Sequence, residues 1–109
     1  NILHNAKDVF IEKKIEDRVV IINIKKQQST ISIKIQDSAG GIPYEIINKI
    51  FEPYFTTKHQ SQGTGIGLFM SKEIIVKHFN GTLKVKNEEF IYKQKDYGGA
   101  SFIIELPLI

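Results

Sequence analysis

Thr30 to Gln36 reads TISIKIQ, with Ile31, Ile33 and Ile35 alternating against Ser32, Lys34 and Gln36. A two-residue period of this kind belongs to a strand with one face buried and the other in water. The preceding run, RVVIINIKK from Arg18 to Lys26, is equally rich in β-branched residues, and only QQS intervenes. β-Branched side chains fit a pleated, half-buried surface, so the two runs predict a hairpin with one apolar face that other elements must cover.

The rest of the chain supplies the cover. Ile2, Leu3, Ala6, Val9 and Phe10 approach the spacing of one helical face, which predicts a helix over residues 1 to 13. DSAGGIP, residues 37 to 43, is a turn cluster, followed by a short helix from Tyr44 to Ile50. Residues 51 to 62 hold no sustained period and predict a mobile loop. From Gly65 to Phe79 the pattern is helical, and Asn80-Gly81 stops it, with glycine expected in the left-handed conformation. Thr82 to Glu88 and Ala100 to Leu106 alternate as two further strands, joined by a long connection ending in Gly98-Gly99. The order predicts an α/β two-layer sandwich: a mixed, mostly antiparallel sheet covered by about three helices.

A chain of 109 residues is expected to form one domain over residues 1 to 109. No apolar run nears the roughly 20 residues of a membrane span, so no membrane contact by this domain is expected. Cysteine is absent, which removes disulfides and thiolate metal sites and fits a reducing, cytoplasmic setting. The net charge of +3 raises the question of nucleic acid, but the lysines are interspersed with acids, as in KDVFIEKKIEDR, and no nucleic-acid partner is expected. The chain opens on Asn1 inside a helical pattern, which suggests a piece of a longer protein that lacks a preceding strand and helical turn.

Three clusters can carry chemistry. Asp37 ends an apolar strand beside Gly40 and Gly41. It reads either as an Asx-turn residue or as an acceptor for the amine of a flat ligand that glycines let lie against the backbone. GTGIGL, residues 63 to 68, leads into a helix, where free N–H groups and the helix dipole favour phosphate. It is neither a Walker loop nor the dinucleotide fingerprint. Asn1 and Asn5 lie i, i+4 on the first helix. They are either ordinary polar side chains or a face that offers an amide oxygen to Mg²⁺, whose remaining positions go to phosphates and water.

Taken together, NILHNAKD, DSAGGIP, FEPYFTTK, GTGIGL and GGASFIIELP resemble the asparagine box, first glycine box, phenylalanine box, second glycine box and closing strand of the ATP-binding catalytic domain of two-component sensor histidine kinases. That family belongs to the wider GHKL superfamily of gyrase, MutL and heat-shock chaperones. The resemblance spans nearly the whole chain and implies the histidine kinase ATPase-like fold, with ATP and Mg²⁺ as ligands. It implies that Asn5 holds Mg²⁺ with Asn1 facing the same site, and that Asp37 takes the adenine amine while Gly41 lets the base approach. Ile42, Ile46 and Phe55 would line or close the pocket. Lys58 would reach the phosphates, Thr64 would add a hydroxyl, and Gly63, Gly65 and Gly67 would surround the triphosphate. Phe51 and Phe55 would anchor a short lid, with residues 56 to 63 protected from proteolysis by Mg-ATP. Ala39 departs from the family's Asp-x-Gly-x-Gly pattern; the added methyl is tolerated if the backbone there keeps φ negative.

In the gyrase-like and chaperone-like branches a glutamate four residues before the magnesium asparagine activates water. That position is Asn1 here, and an amide is no general base. The resemblance therefore implies a kinase that phosphorylates a histidine on a separate dimerisation domain, with a response regulator served through the parent protein. None of His4, His59 and His78 stands in the His-acid helical setting of such an acceptor. A catalytically silent nucleotide-binding or sensor module is the alternative. A serine-kinase anti-sigma factor is weakened by Asn1.

Overall fold

The computed structural model describes residues 1–56 and 65–108. Among them, helix α1 (Ile2–Glu12) precedes strands β1 (Val20–Gln27) and β2 (Thr30–Asp37), and the short helix α2 (Tyr44–Ile47) follows. Helix α3 (Gly67–Glu73) runs into a π-helical segment, Ile74–His78, before β3 (Thr82–Tyr92) and β4 (Lys95–Pro107). The four strands form one sheet in the order β1-β2-β4-β3, with every pairing antiparallel. This is the expected two-layer α/β sandwich.

Directly opposed residues share a face, so the register writes the core in rows. Ile22 lies opposite Ile35, Ile35 opposite Phe102 and Phe102 opposite Val85, while the next row runs Ile24, Ile33, Ile104, Leu83. Helices cover the β4–β3 end of these rows: Leu83, Ala100 and Phe102 are buried with Ile2, Ile42, Ile50, Phe51, Leu68 and Ile75 packed on them. Phe51 meets Phe102 edge-on at 6.3 Å, a geometry that aligns ring edge with ring face. Toward β1 the cover ends, leaving Ile22 50% and Ile24 66% exposed. A second cluster joins Ala6 and Phe10 of α1 to Ala39, with Val9 and Ile15 against it. Ala39 does not take a positive φ, so its methyl fills this cluster without backbone strain.

Several boundaries differ from expectation. The expected long connection between the last two strands is a hairpin: Tyr92 pairs with Lys95 around Lys93 and Gln94. Both turn residues have positive φ (50° and 65°), the geometry of a type I′ turn that ordinarily selects Asn-Gly. α1 ends in a Schellman turn: the Lys14 N–H donates to Ile11 O and the Ile15 N–H to Phe10 O, with Lys14 at φ 54° where glycine is usual. α2 stops at Ile47 rather than Ile50. The predicted single helix from Gly65 to Phe79 starts at Gly67 and changes to π geometry at Ile74. Beyond it Asn80 takes the left-handed conformation, at φ 55°. Gly81 serves instead for close approach, because a Cβ there would lie 2.4 Å from Glu105 O.

Candidate functional site

A cavity of about 500 Å³ opens between α1, the Asp37–Pro43 turn, α2, α3 and the β4 core, within the range of small-molecule sites. Its lining includes Asn1, Asn5, Asp37, Gly41, Ile42, Ile46, Phe55, Gly65 and Gly67, residues scattered over two thirds of the chain. Lys58, Gly63 and Thr64, the rest of the expected set, lie outside the described residues, as does most of the 56–63 stretch. Thr56, the first residue of the expected lid, lines the cavity, and so do His4, Val9, Glu12, Lys13, Pro43, Ile50, Leu68, Ala100 and Phe102, which were not among the expected site residues. For α1 a signal existed: Asn1, Asn5, Val9 and Glu12 recur at helical spacing on one face.

Asp37 is 7% exposed at the end of β2, and its Oδ1 accepts from two backbone groups, Ala39 N at 3.0 Å and Ala100 N at 3.1 Å. Backbone donors of this kind hold a buried carboxylate in one orientation. The room for it comes from Gly99, where a Cβ would lie 1.9 Å from Asp37 O and 2.4 Å from Asp37 Oδ1. The Asx-turn reading and the ligand reading are thus compatible. Oδ1 makes the turn-like contact to Ala39, and Asp37 still lines the cavity.

The following loop is fastened at several points. Ser38 Oγ donates to Asp17 O and accepts from Val19 N, and Gly40 N donates to Gly98 O. Lys13 Nζ donates to Ala39 O at 2.9 Å and Gly41 O at 3.3 Å. Asn87, on β3, accepts from Ile42 N and donates to Ile42 O, both at 2.8 Å. Gly40 and Gly41 have φ of 87° and 88°, a conformation that disfavours side chains. At Gly41 a Cβ would also meet Asn87 Oδ1 at 2.9 Å.

Asn1 and Asn5 start α1, and the half-buried Asn5 lines the cavity. Asn1 spends its amide on α3: Nδ2 donates to Gly67 O at 3.2 Å and to Ser71 Oγ at 3.0 Å. Gly67 leaves room for this amide, since a Cβ would lie 2.8 Å from Asn1 Oδ1 and would push that side chain aside. Gly65, at φ 73°, packs against the aromatic stretch, where a Cβ would come within 2.4 Å of the Tyr54 backbone. Tyr54 N donates to Gly65 O at 2.9 Å, so the aromatic stretch is tied to the residue two before α3. His4 approaches Asp8 at 3.6 Å along α1. Among the described residues, no group of three His, Cys, Asp or Glu side chains gathers as a metal site. No described helix is long and apolar enough to cross a membrane.

The family described as histidine kinase-, DNA gyrase B- and HSP90-like ATPase matches residues 1–109. The two-component sensor PprA of Pseudomonas aeruginosa is 32% identical over 99% of the chain, and a probable C4-dicarboxylate sensor kinase of Halalkalibacterium halodurans is 32% identical over 98%. The chain spans only 11% and 18% of the length of these relatives. Among solved structures, the nucleotide-free catalytic domain of histidine kinase ThkA superposes with a TM-score of 0.66 at 28% identity, covering 96% of this chain and 65% of that one. The chain belongs to the histidine kinase-, DNA gyrase B- and HSP90-like ATPase family, and its relatives place it with the catalytic, ATP-binding domains of sensor histidine kinases.

Proposed function

We propose that the chain binds Mg-ATP in this cavity and directs the γ-phosphoryl group to a histidine on a separate dimerisation domain of its parent protein, from which a response regulator is served in the cytoplasm. The observation that carries the reading is Asp37: a buried carboxylate with one oxygen fixed by two backbone donors, beside a glycine loop and apolar walls. With Oδ1 committed, Oδ2 is the oxygen to take the exocyclic amine of adenine. Ile42, Ile46 and Phe55 would sandwich the base, and Gly41 would admit it to the backbone.

Asn5 fits a Mg²⁺ that arrives with the triphosphate. It offers one amide oxygen, and the ion ordinarily completes its octahedron with phosphate and water rather than with a protein cage. When bound, the ion neutralises charge that develops on the transferred group. Asn1 supports a kinase over a hydrolase: its amide donates to Gly67 and Ser71 and carries no basic group to activate water. Lys58 would meet phosphate oxygens, as would Gly63, Thr64, Gly65 and Gly67. A neutral imidazole brings its own lone pair, so this chain's task reduces to positioning and charge stabilisation.

The test supplies labelled ATP together with a histidine-bearing dimerisation domain. Acid-labile label on that partner is expected, and its absence despite measured ATP binding would leave a silent nucleotide-binding module. Asp37→Asn puts the adenine assignment at risk: it should lower ATP affinity by about a hundredfold, because the amide oxygen stays with the two backbone donors and an NH2 donor then faces the donor amine, leaving it unpaired. Unchanged affinity would sink the assignment.

A further inference from the structure

Resting on the nucleotide reading, we propose that Asn87 and Lys13 are positioning residues for base recognition, a two-sided clamp that sets the glycine loop and, through Ala39, aims the Asp37 carboxylate. Neither belongs to the motifs that carry the family resemblance. They come from the edge strand β3 and the C-cap of α1.

Asn87 acts like a strand of one residue. Its amide exchanges both hydrogen bonds with Ile42, at 2.8 Å each, as neighbouring strands do. The pairing fits only because Gly41 has no Cβ, so the glycine is needed for the clamp as well as for a ligand. From the opposite side the Lys13 ammonium gathers the carbonyls of Ala39 and Gly41. Between them Gly40 N is held by Gly98 O. The peptide groups flanking Ala39 are thus tied both ways: its carbonyl to Lys13 and its N–H to Asp37 Oδ1. Slack in the loop would let Ala39 move, and Asp37 would lose one of the two donors that orient it.

A loop with two consecutive left-handed glycines has more freedom to lose than any other residue pair. Without external ties it would sample many arrangements, of which only some present Asp37 to an amine. The clamp raises the fraction of the competent one, and apparent affinity scales with that fraction. The gain should appear for a base with an exocyclic amine and be small for one without it.

The experiment measures binding of ATP and of inosine triphosphate, which lacks the amine, to the 109-residue chain and to Asn87→Ala, Asn87→Asp, Lys13→Met and Asp37→Asn. Circular dichroism establishes that each variant is folded. Asn87→Ala and Lys13→Met should lower the preference for ATP over inosine triphosphate by about fivefold, the scale of one or two partly solvated hydrogen bonds. Asn87→Asp keeps the acceptor for Ile42 N and loses the donor, and should fall between Asn87→Ala and the parent. Amide exchange at residues 40 and 42 should accelerate in Asn87→Ala without nucleotide. Combined with Asp37→Asn, neither clamp variant should reduce the preference further, because the group they position is gone. A merely structural role would weaken both nucleotides alike. Folded clamp variants that discriminate as well as a discriminating parent overturn the clamp and leave the nucleotide reading standing. A parent that binds neither nucleotide overturns both.

Discussion

Gly98 and Gly99 are adjacent in β4, yet the structure assigns them opposite responses to the same substitution. A Cβ on Gly99 would stand 1.9 Å from the Asp37 carbonyl oxygen and 2.4 Å from Oδ1, whereas on Gly98 it meets nothing closer than Glu89 Cγ at 3.8 Å. Neither glycine has a positive φ, so conformational strain does not enter. For Gly99→Ala, strand and turn must separate by about 1 Å to restore ordinary contact, an overpacking that costs about 1–3 kcal/mol. That displacement stretches the 3.1 Å bond from Ala100 N to Asp37, and a hydrogen bond to a charged group contributes about 1.5–3 kcal/mol. The expected loss is about 3–5 kcal/mol, a large part of a domain's usual 5–15 or so. Gly98→Ala should be neutral or stabilise by up to about 1 kcal/mol, since alanine has less unfolded-state freedom to lose. Urea denaturation separates them: Gly99→Ala should lower the midpoint by about 2 M at a typical slope, and Gly98→Ala should leave it level or raise it. Equal shifts in the two variants would refute the steric account of how Asp37 is held.

Lys14 occupies the left-handed position of the α1 Schellman turn, so Lys14→Gly should stabilise the fold by about 0.5–1 kcal/mol in the same assay, and a loss would contradict the cap assignment. On the outer sheet face, a hydrogen bond from the Lys34 ammonium at 2.7 Å holds the Glu88 carboxyl below its ordinary value of 4.5. Its contribution is complete above that value and drains as pH falls through the lower folded one. Lys34→Met should therefore flatten the loss of stability between about pH 5 and 3, and an unaltered acid slope would tell against the pair.

Periodicity was the legible part. Ile31, Ile33 and Ile35 announced β2 because they share the sheet face on which the helices pack, and the Asn1/Asn5 spacing announced one face of the cavity. Turn chemistry was less legible, because here it breaks its own rules. Lys14, Lys93 and Gln94 adopt left-handed backbone that glycine or asparagine ordinarily signals. The hairpin at Lys93 was therefore read as a long connection, and β3 and β4 were both drawn too short. The glycines were seen, but three of their reasons were not. Gly41 makes room for Asn87, Gly67 for Asn1 and Gly99 for Asp37. Each is a contact between residues more than 40 positions apart, and no local window holds both partners. Asn87 and Lys13 stayed hidden for the same reason, being an exposed asparagine and one lysine among many until the fold folds them onto one loop.

The bond from Tyr54 N to Gly65 O has a consequence for what the chain can accept as an insertion. Tyr54 and Gly65 are fastened to each other, so the start of α3 is held to the aromatic stretch by a contact of its own. For a flexible connection in general, doubling the length adds only about 0.6 kcal/mol. A reporter peptide grafted between the two should leave the Phe51–Phe102 contact and the Asp37 seat where they are. That makes the connection a natural port for building new sensitivity into an old scaffold.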